Sequence, residues 1–163
     1  MADTYLSPED FRAFVASLPR RRLAAGALIT DPNGSVLVAK PNYKDGWTLP
    51  GGTVEAGEAP QEGCFREVVE ETGLRLEPGR LLLIFHGLSM GEWGDSAYFL
   101  YDGGTIPADA PIRLQAEELL EYRFVPAAEL DAYVGPGFAG RLRRALEARE
   151  TGEVVELSST SWG

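Results

Sequence analysis

The stretch from Gly52 to Leu74, GTVEAGEAPQEGCFREVVEETGL, constrains this chain more than any other. It follows a glycine turn, Leu49-Pro50-Gly51-Gly52, and crosses a short loop holding Glu55 and Glu58 before reaching Pro60. Proline suits a first helical position, where its fixed φ fits and its missing N–H would have had no partner. Gly73 predicts the helix end, because a left-handed residue can close it. Between them Phe65, Val68, Val69 and Thr72 recur at i, i+3, i+4 and i+7, the spacing of a buried stripe. Glu67, Glu70 and Glu71 fall on the other side, and Arg66 flanks them one turn from Glu70.

Three carboxylates on one helical face repel, and one would ordinarily take up a proton to relieve the crowding. A hard divalent cation removes that cost, since Mg²⁺ takes oxygen ligands and often binds through carboxylates together with substrate phosphates. A solvated acidic face is the plainer reading of an arbitrary helix with three glutamates.

The residues around the trio change that balance. Gly52, Glu58, Arg66-Glu67-Val68, Glu70-Glu71 and Gly73-Leu74 stand at the intervals of the Nudix box, and the stretch resembles it at all nine specified positions. A chance match in one window is on the order of one in 10⁹ with ordinary residue usage. The box is the signature of hydrolases acting on a nucleoside diphosphate linked to another moiety. On these residues the chain is identified as a member of that family, although the motif covers a short part of it.

The resemblance implies an α/β chain with the Nudix fold, an α/β/α sandwich around a mixed sheet, and the alternation of strand-like and helix-like stretches agrees. It implies attack by water on a phosphorus atom of a pyrophosphate linkage, with Mg²⁺, or Mn²⁺ as the alternative, as cofactor. By resemblance Glu67, Glu70 and Glu71 bind metal directly or through water, aided by Glu58 and the Gly51 carbonyl, while Arg66 orients Glu67. Glu67, Glu70 and Arg66 are thus the catalytic candidates. Family members differ on which carboxylate accepts the proton, and that choice stays open. A further acid beyond the box often joins the metal site; Glu118 is the first candidate, then Glu121, with Glu117 also in range. Lys40, at the end of a strand near the glycine turn, is the candidate phosphate contact, and a solvated lysine is the competing reading. Trp93, in the glycine-flanked loop Ser89–Gly94, either stacks on a nucleobase or covers the core edge. Trp47 reads as packing. His86, the only histidine, reads as structural.

Composition excludes several alternatives. A net charge of −10 argues against a general nucleic-acid-binding surface, which needs a basic patch. A small nucleotide remains the expected partner, held by metal and a few basic residues. The single cysteine, Cys64, excludes an internal disulfide framework and suits a cytoplasmic location. Its place inside the helix favours packing. The early apolar run Leu23–Ile29 is too short for a signal peptide or membrane span, so no membrane partner is expected.

The length suits one domain. Residues 1–19 read as a helical extension, 20–150 as the hydrolase domain and 151–163 as a tail or arm. In the extension, Ser7 caps a helix whose stripe Phe11, Phe14, Val15 and Leu18 is expected to dock on the domain's own core, with a homodimer contact second. Strands are predicted at Leu23–Thr30, Ser35–Ala39, Leu81–Leu88 and Ser96–Tyr101, and helices at Ala127–Tyr133 and Phe138–Ala148. Asp102-Gly103-Gly104 reads as the start of a polar connection.

Two other function classes compete with the hydrolase: an inactive nucleotide-binding or regulatory module that has kept the fold, and an interaction protein built on the amino-terminal helix. The box lacks no carboxylate, which favours the enzyme. Features that resemble ADP-ribose, dinucleoside polyphosphate, NADH or coenzyme A subclasses are absent, so the nucleotide substrate is not selected.

Overall fold

A computed structural model describes residues 5–159. Residues 1–4 of the expected extension and 160–163 of the expected tail lie outside the described residues.

The run Ala24-Ala25-Gly26-Ala27 carries side chains small enough to let helices approach both faces of a strand. It lies in β1 (Arg22–Thr30), which is flanked by β2 (Val36–Pro41) and β3 (Gly51–Thr53) on one side and β5 (Ser96–Thr105) on the other. β1 runs parallel to β5 and antiparallel to β2 and β3. With β4 (Leu81–Gly87), β6 (Leu119–Val125) and β7 (Val155–Ser158), the mixed seven-stranded sheet has the order β6-β2-β1-β5-β4-β7, and β3 pairs with β1 off that path.

Successive strand residues point to opposite faces, and β1 uses that alternation to serve two cores. Ala25, Ala27 and Ile29 pack with Cys64, Phe65 and Val68 of α2 (Pro60–Thr72), whereas Leu28 packs with Ala139, Leu142 and Ala145 from the opposite layer. That layer is α3 (Asp131–Val134) and α4 (Pro136–Thr151). The expected α/β/α sandwich follows from this division. The predicted stripe of α2 holds at Phe65, Val68 and Thr72, all buried, with Val69 half-buried at its edge.

Four expectations change. The amino-terminal helix α1 (Pro8–Ser17) forms under its Ser7 cap, but it buries no residue. Phe11, Phe14, Val15 and Leu18 stay between 43% and 56% exposed, so the stripe does not dock on the domain's own core. β5 continues through Asp102-Gly103-Gly104 to Thr105, because Arg149 of α4 pairs with Asp102 at 2.8 Å and holds the polar stretch against the sheet. A Cβ at Gly103 would fall 2.4 Å from Ile29 Cγ1, so only glycine passes there. The segment Ala127–Tyr133 divides into a 3₁₀ turn at Ala127–Glu129 and α3. The described part of the supposed tail adds β7 to the sheet, parallel to β4, with Val155 and Leu157 packed against the core.

Because α1 is without burial, deleting residues 1–19 is expected to shift the thermal unfolding midpoint by less than about 4 °C, the shift that about 1 kcal/mol produces at this size. A larger fall in the purified protein would show that the helix is covered in solution.

Candidate active site

Two adjacent glycines allow helix α2 to lie almost on the backbone of β3. Gly51 has φ 147°, and a Cβ on it would fall 2.2 Å from the Ala25 carbonyl oxygen, so no side chain is tolerated. At Gly52 a Cβ would fall 2.7 Å from Glu67 Oε1. The same economy recurs at Gly63, where a Cβ would fall 2.6 Å from Glu58 Oε2. Pro60 opens the helix; the cap residue Ala59 has no side-chain acceptor, and Glu62 Oε2 instead accepts from the Ala59 N–H at 2.9 Å. Gly73 closes it in the left-handed conformation, its N–H donating to the Val69 carbonyl.

Arg66 is the hub of this ledge. Its Nε donates to Glu58 Oε1 at 2.7 Å and its Nη2 to Glu58 Oε2 at 3.1 Å, a bidentate pair. Nη1 donates to Glu67 Oε1 at 3.1 Å and to Glu70 Oε2 at 3.0 Å. The guanidinium thus does meet Glu67, while its strongest grip is on Glu58. That hydrogen bonding, followed by the one from the Glu55 N–H, lowers the Glu58 pKa, and the same pairing raises that of Arg66.

The three box carboxylates lie in graded environments. Glu71 is 4% exposed and accepts from the Gly51 N–H at 2.8 Å. Burial raises its pKa to about 7; the Gly51 hydrogen bond opposes this, while Glu67 and Glu118 add to it. Glu67 is also raised, chiefly by burial, with the Arg66 hydrogen bond opposing. The Glu70 side chain is 51% exposed.

Among the later acids, Glu118 raises the pKa of both Glu67 and Glu71, which places it within electrostatic reach of the ledge. Its turn is tied down on two sides: the Gln115 N–H donates to the Glu71 carbonyl, and the Asn42 N–H donates to the Glu118 carbonyl. Glu121 instead lies in β6 opposite Lys40 and pairs with Arg123 at 3.6 Å, and Glu117 contributes its carbonyl to Asn42.

Among the described residues no set of three or more acidic, histidine or cysteine side chains already stands at metal-holding distances. Arg66 and the Gly51 N–H each engage one oxygen of Glu67, Glu70 and Glu71, leaving the other oxygen of each carboxylate. The donor chemistry nevertheless fits a hard dication: all-oxygen ligands, crowded so closely that burial and mutual repulsion push Glu71 toward protonation.

A cleft opens beside the ledge. One part, about 370 Å³, is lined by Gly51, Gly52, Thr53, Tyr43 and Lys44; the other, about 420 Å³, by Trp47, Phe85, Phe138 and Arg141. Ala24, Lys44, Thr48, Trp93 and Tyr98 line both, so the two are continuous. Trp93 therefore faces the cleft, where Arg22 holds it by stacking 5.5 Å from the ring centroid and by donating to its carbonyl. Lys40 lines neither part; it lines an adjoining depression with Asn42 and Leu120, of which three further walls, Tyr43, Lys44 and Asp45, also line the cleft. Lys44 is the basic residue that faces the ledge, and its charge lowers the pKa of Glu71. Sequence reasoning passed over Lys44 and Arg141 because a loop lysine and a helix arginine carry no spacing signal. Trp47 packs edge-on against Tyr133, with centroids 5.4 Å apart, as expected, and also lines the cleft. His86 pairs with Glu156 of β7 at 3.3 Å, a structural role. Cys64 is fully buried, and burial pushes its thiol up to about 12. No described helix is long and apolar enough to cross a membrane.

Comparison with known proteins places these features in context. The profile of the NUDIX domain matches residues 20–147. A MutT-like protein of Streptomyces ambofaciens is 32% identical over 75 residues, 46% of this chain and 49% of the relative, so the match spans about half of that protein's length. An RNA pyrophosphohydrolase of Roseobacter denitrificans is 26% identical over 150 residues, covering 80% of this chain and 89% of the relative. The crystal structure of the MutT protein from Methanosarcina mazei superposes with a TM-score of 0.68 at 28% identity, covering 84% of this chain and all of that one.

Glu71 yields a pH prediction for the metal-free protein. Its folded pKa, about 7, stands above the ordinary 4.5, so the stability it contributes is complete below 4.5 and is lost as pH rises through 7. The unfolding midpoint is expected to fall between pH 5 and pH 8, and Glu71→Gln to flatten that fall. An equally steep fall in the variant would exclude Glu71 as its source.

Proposed function

The chain belongs to the NUDIX family, and from that premise we propose that it hydrolyses the pyrophosphate linkage of a nucleoside diphosphate joined to another moiety, by water attack on phosphorus. Hydrolysis of pyrophosphate bonds is the chemistry of the family; the nucleotide substrate and the residue roles are the proposal. The observation that carries it is the ledge itself: Glu67, Glu70 and Glu71 gathered about Arg66, with Glu118 in electrostatic reach, at the mouth of a cleft that Lys44 lines.

Glu67, Glu70, Glu71 and Glu118, with the Gly51 carbonyl, would hold Mg²⁺ or Mn²⁺. Such an ion supplies neutralisation of phosphoryl charge and a lower pKa for bound water. Glu58 acts at one remove: by fixing Arg66 bidentately it fixes the group that orients Glu67 and Glu70. Glu67, raised in pKa by burial and set against Arg66, is suited to accept a proton from the attacking water. Lys44 takes the phosphate role first considered for Lys40, because it lines both parts of the cleft. Trp93 offers a half-exposed ring for stacking at the rim.

A screen of nucleoside diphosphate compounds and nucleoside triphosphates with Mg²⁺ and Mn²⁺ tests the reading directly. Glu67→Gln and Glu70→Gln are each expected to lower kcat by at least about tenfold while the protein remains folded, a barrier increase of about 1.4 kcal/mol or more. Unchanged turnover in both folded variants would remove the ledge from the chemistry. Lys44→Ala is expected to raise KM with a smaller effect on kcat, whereas Lys40→Ala leaves both near wild type. The reverse order would reinstate Lys40.

A further inference from the structure

Arg141 is a cation without an anion. It sits in the aromatic part of the cleft, with its guanidinium carbon 3.9 Å from the centroid of Phe85 and 5.3 Å from that of Phe138. Among the described residues it makes no ion pair, although the chain carries a net charge of −10. Among the described residues its single hydrogen bond runs from Nε to the Gly137 carbonyl in its own helix, at 3.3 Å, and Nη1 and Nη2 have no partner there. Half-burying a guanidinium in this way opposes its charge, and its pKa is lowered by that burial. Structural arginines elsewhere in the chain are placed differently: Arg66, Arg143 and Arg149 each meet a carboxylate.

We infer that the aromatic half of the cleft is a nucleobase slot and that Arg141 is its specificity-determining residue, selecting guanine. The inference rests on the nucleotide reading above and names the base within it. The slot, about 420 Å³, falls in the range of small-molecule sites, and Trp93 and Trp47 supply aromatic surface beside a base. A guanidinium lying against Phe85 is steadied by stacking and presents its N–H fork along one plane. Guanine offers that fork two adjacent acceptors, O6 and N7, on one edge and its N–H donors on another; adenine sets a donor, the 6-amino group, beside N7, uracil has no two adjacent acceptors, and cytosine carries its adjacent acceptors, O2 and N3, on the same edge as its only donor. Asp45 lines the same cavity and brings a carboxylate acceptor to it for the guanine N1–H and 2-amino group. A phosphate on Arg141 fits the surroundings less well, since it gains nothing from the five aromatic residues, Trp47, Phe85, Trp93, Tyr98 and Phe138, that line this half of the cleft.

The test is equilibrium binding of hydrolysis-resistant methylene analogues of GTP, ATP, CTP and UTP to the whole chain with Mg²⁺, read by tryptophan fluorescence and by calorimetry. The guanosine analogue is expected to bind at least about tenfold more tightly than the other three. Arg141→Gln and Arg141→Lys, each checked by near-ultraviolet circular dichroism, are both expected to lose about tenfold for guanosine and less than threefold for adenosine. Equal affinities in the wild-type protein would overturn the inference, and that result needs no variant to fold. A guanosine preference that survives Arg141→Lys would make the residue a point charge for phosphate and would also overturn it, as would a uniform loss over all four bases. The two readings fail separately. Hydrolysis of all four triphosphates at equal kcat/KM sinks the guanine slot and leaves the hydrolase; selective guanosine binding with no turnover of any diphosphate compound does the opposite.

Discussion

The closeness of α2 to β3 is the constraint on which the site depends. A helix carrying long acidic side chains can lie over a strand only if that strand lacks side chains beneath them, and Gly52 meets that condition under Glu67, while Gly51 lets the strand close on the β1 backbone. There Glu71 reaches inward to the Gly51 N–H and Glu67 lies over Gly52. The strand in turn is held by antiparallel pairing with β1 beside it, where Gly51 faces Gly26. A side chain at Gly52 would meet Glu67, one at Gly51 the β1 backbone and one at Gly26 the Tyr98 hydroxyl, so each would disturb packing on which the carboxylates depend. Fold and site are therefore one packing problem here: the glycines that let the sandwich close also set the positions of its acids.

Arg66 solves the problem this closeness creates. Four glutamates meet around it, and a guanidinium can satisfy several carboxylates at once because its five N–H donors fan out in one plane. Lysine, a point charge on a flexible stem, could offset the same repulsion without fixing the directions of Glu58, Glu67 and Glu70. Its bond to Glu58 is bidentate and its bonds to Glu67 and Glu70 are single, so the last two can leave while Arg66 stays anchored.

What could be read from the sequence was what depends on local spacing. The start of α2 at Pro60, its end at Gly73 and its buried stripe follow from backbone geometry and helical period, both of which act within a few residues. Glu118 was foreseen only through resemblance, since its approach to Glu71 depends on a turn pinned by Gln115 and Asn42. Expectations failed where a distant partner decides. Asp102-Gly103-Gly104 has the composition of a turn, yet Arg149, 47 positions away, keeps it in the sheet. Residues 151–163 read as a tail or arm on their own composition, and β4 supplies the edge that makes Val155–Ser158 a strand. The stripe of α1 is as regular as that of α2, but periodicity says only that a face is apolar, never that a surface lies nearby to cover it. Lys40 and Lys44 show the same limit at the site: both flank one loop, and only the path of that loop decides which faces the acids.

Electrostatics ties these parts together. In a chain of net charge −10, an anionic substrate is repelled by most of the surface, and its approach depends on where basic groups are exposed to the cleft. Most arginines cannot serve, because they are spent on carboxylates or on carbonyls at helix ends, as Arg80 is on Ala148 and Glu153. Lys44 stands between the two parts of the cleft and Arg141 in its aromatic half. A ligand must therefore be polar and anionic where it meets Lys44 and flat where it meets Phe85 and Trp93. A nucleotide has that polarity built into it, with its phosphates at one end and its ring at the other, and the order of groups along the cleft sets the direction in which it must enter. On the proposed reading, phosphates toward Gly52 and Glu67 with the base toward Phe138 is the orientation that would bring the pyrophosphate linkage to the acids.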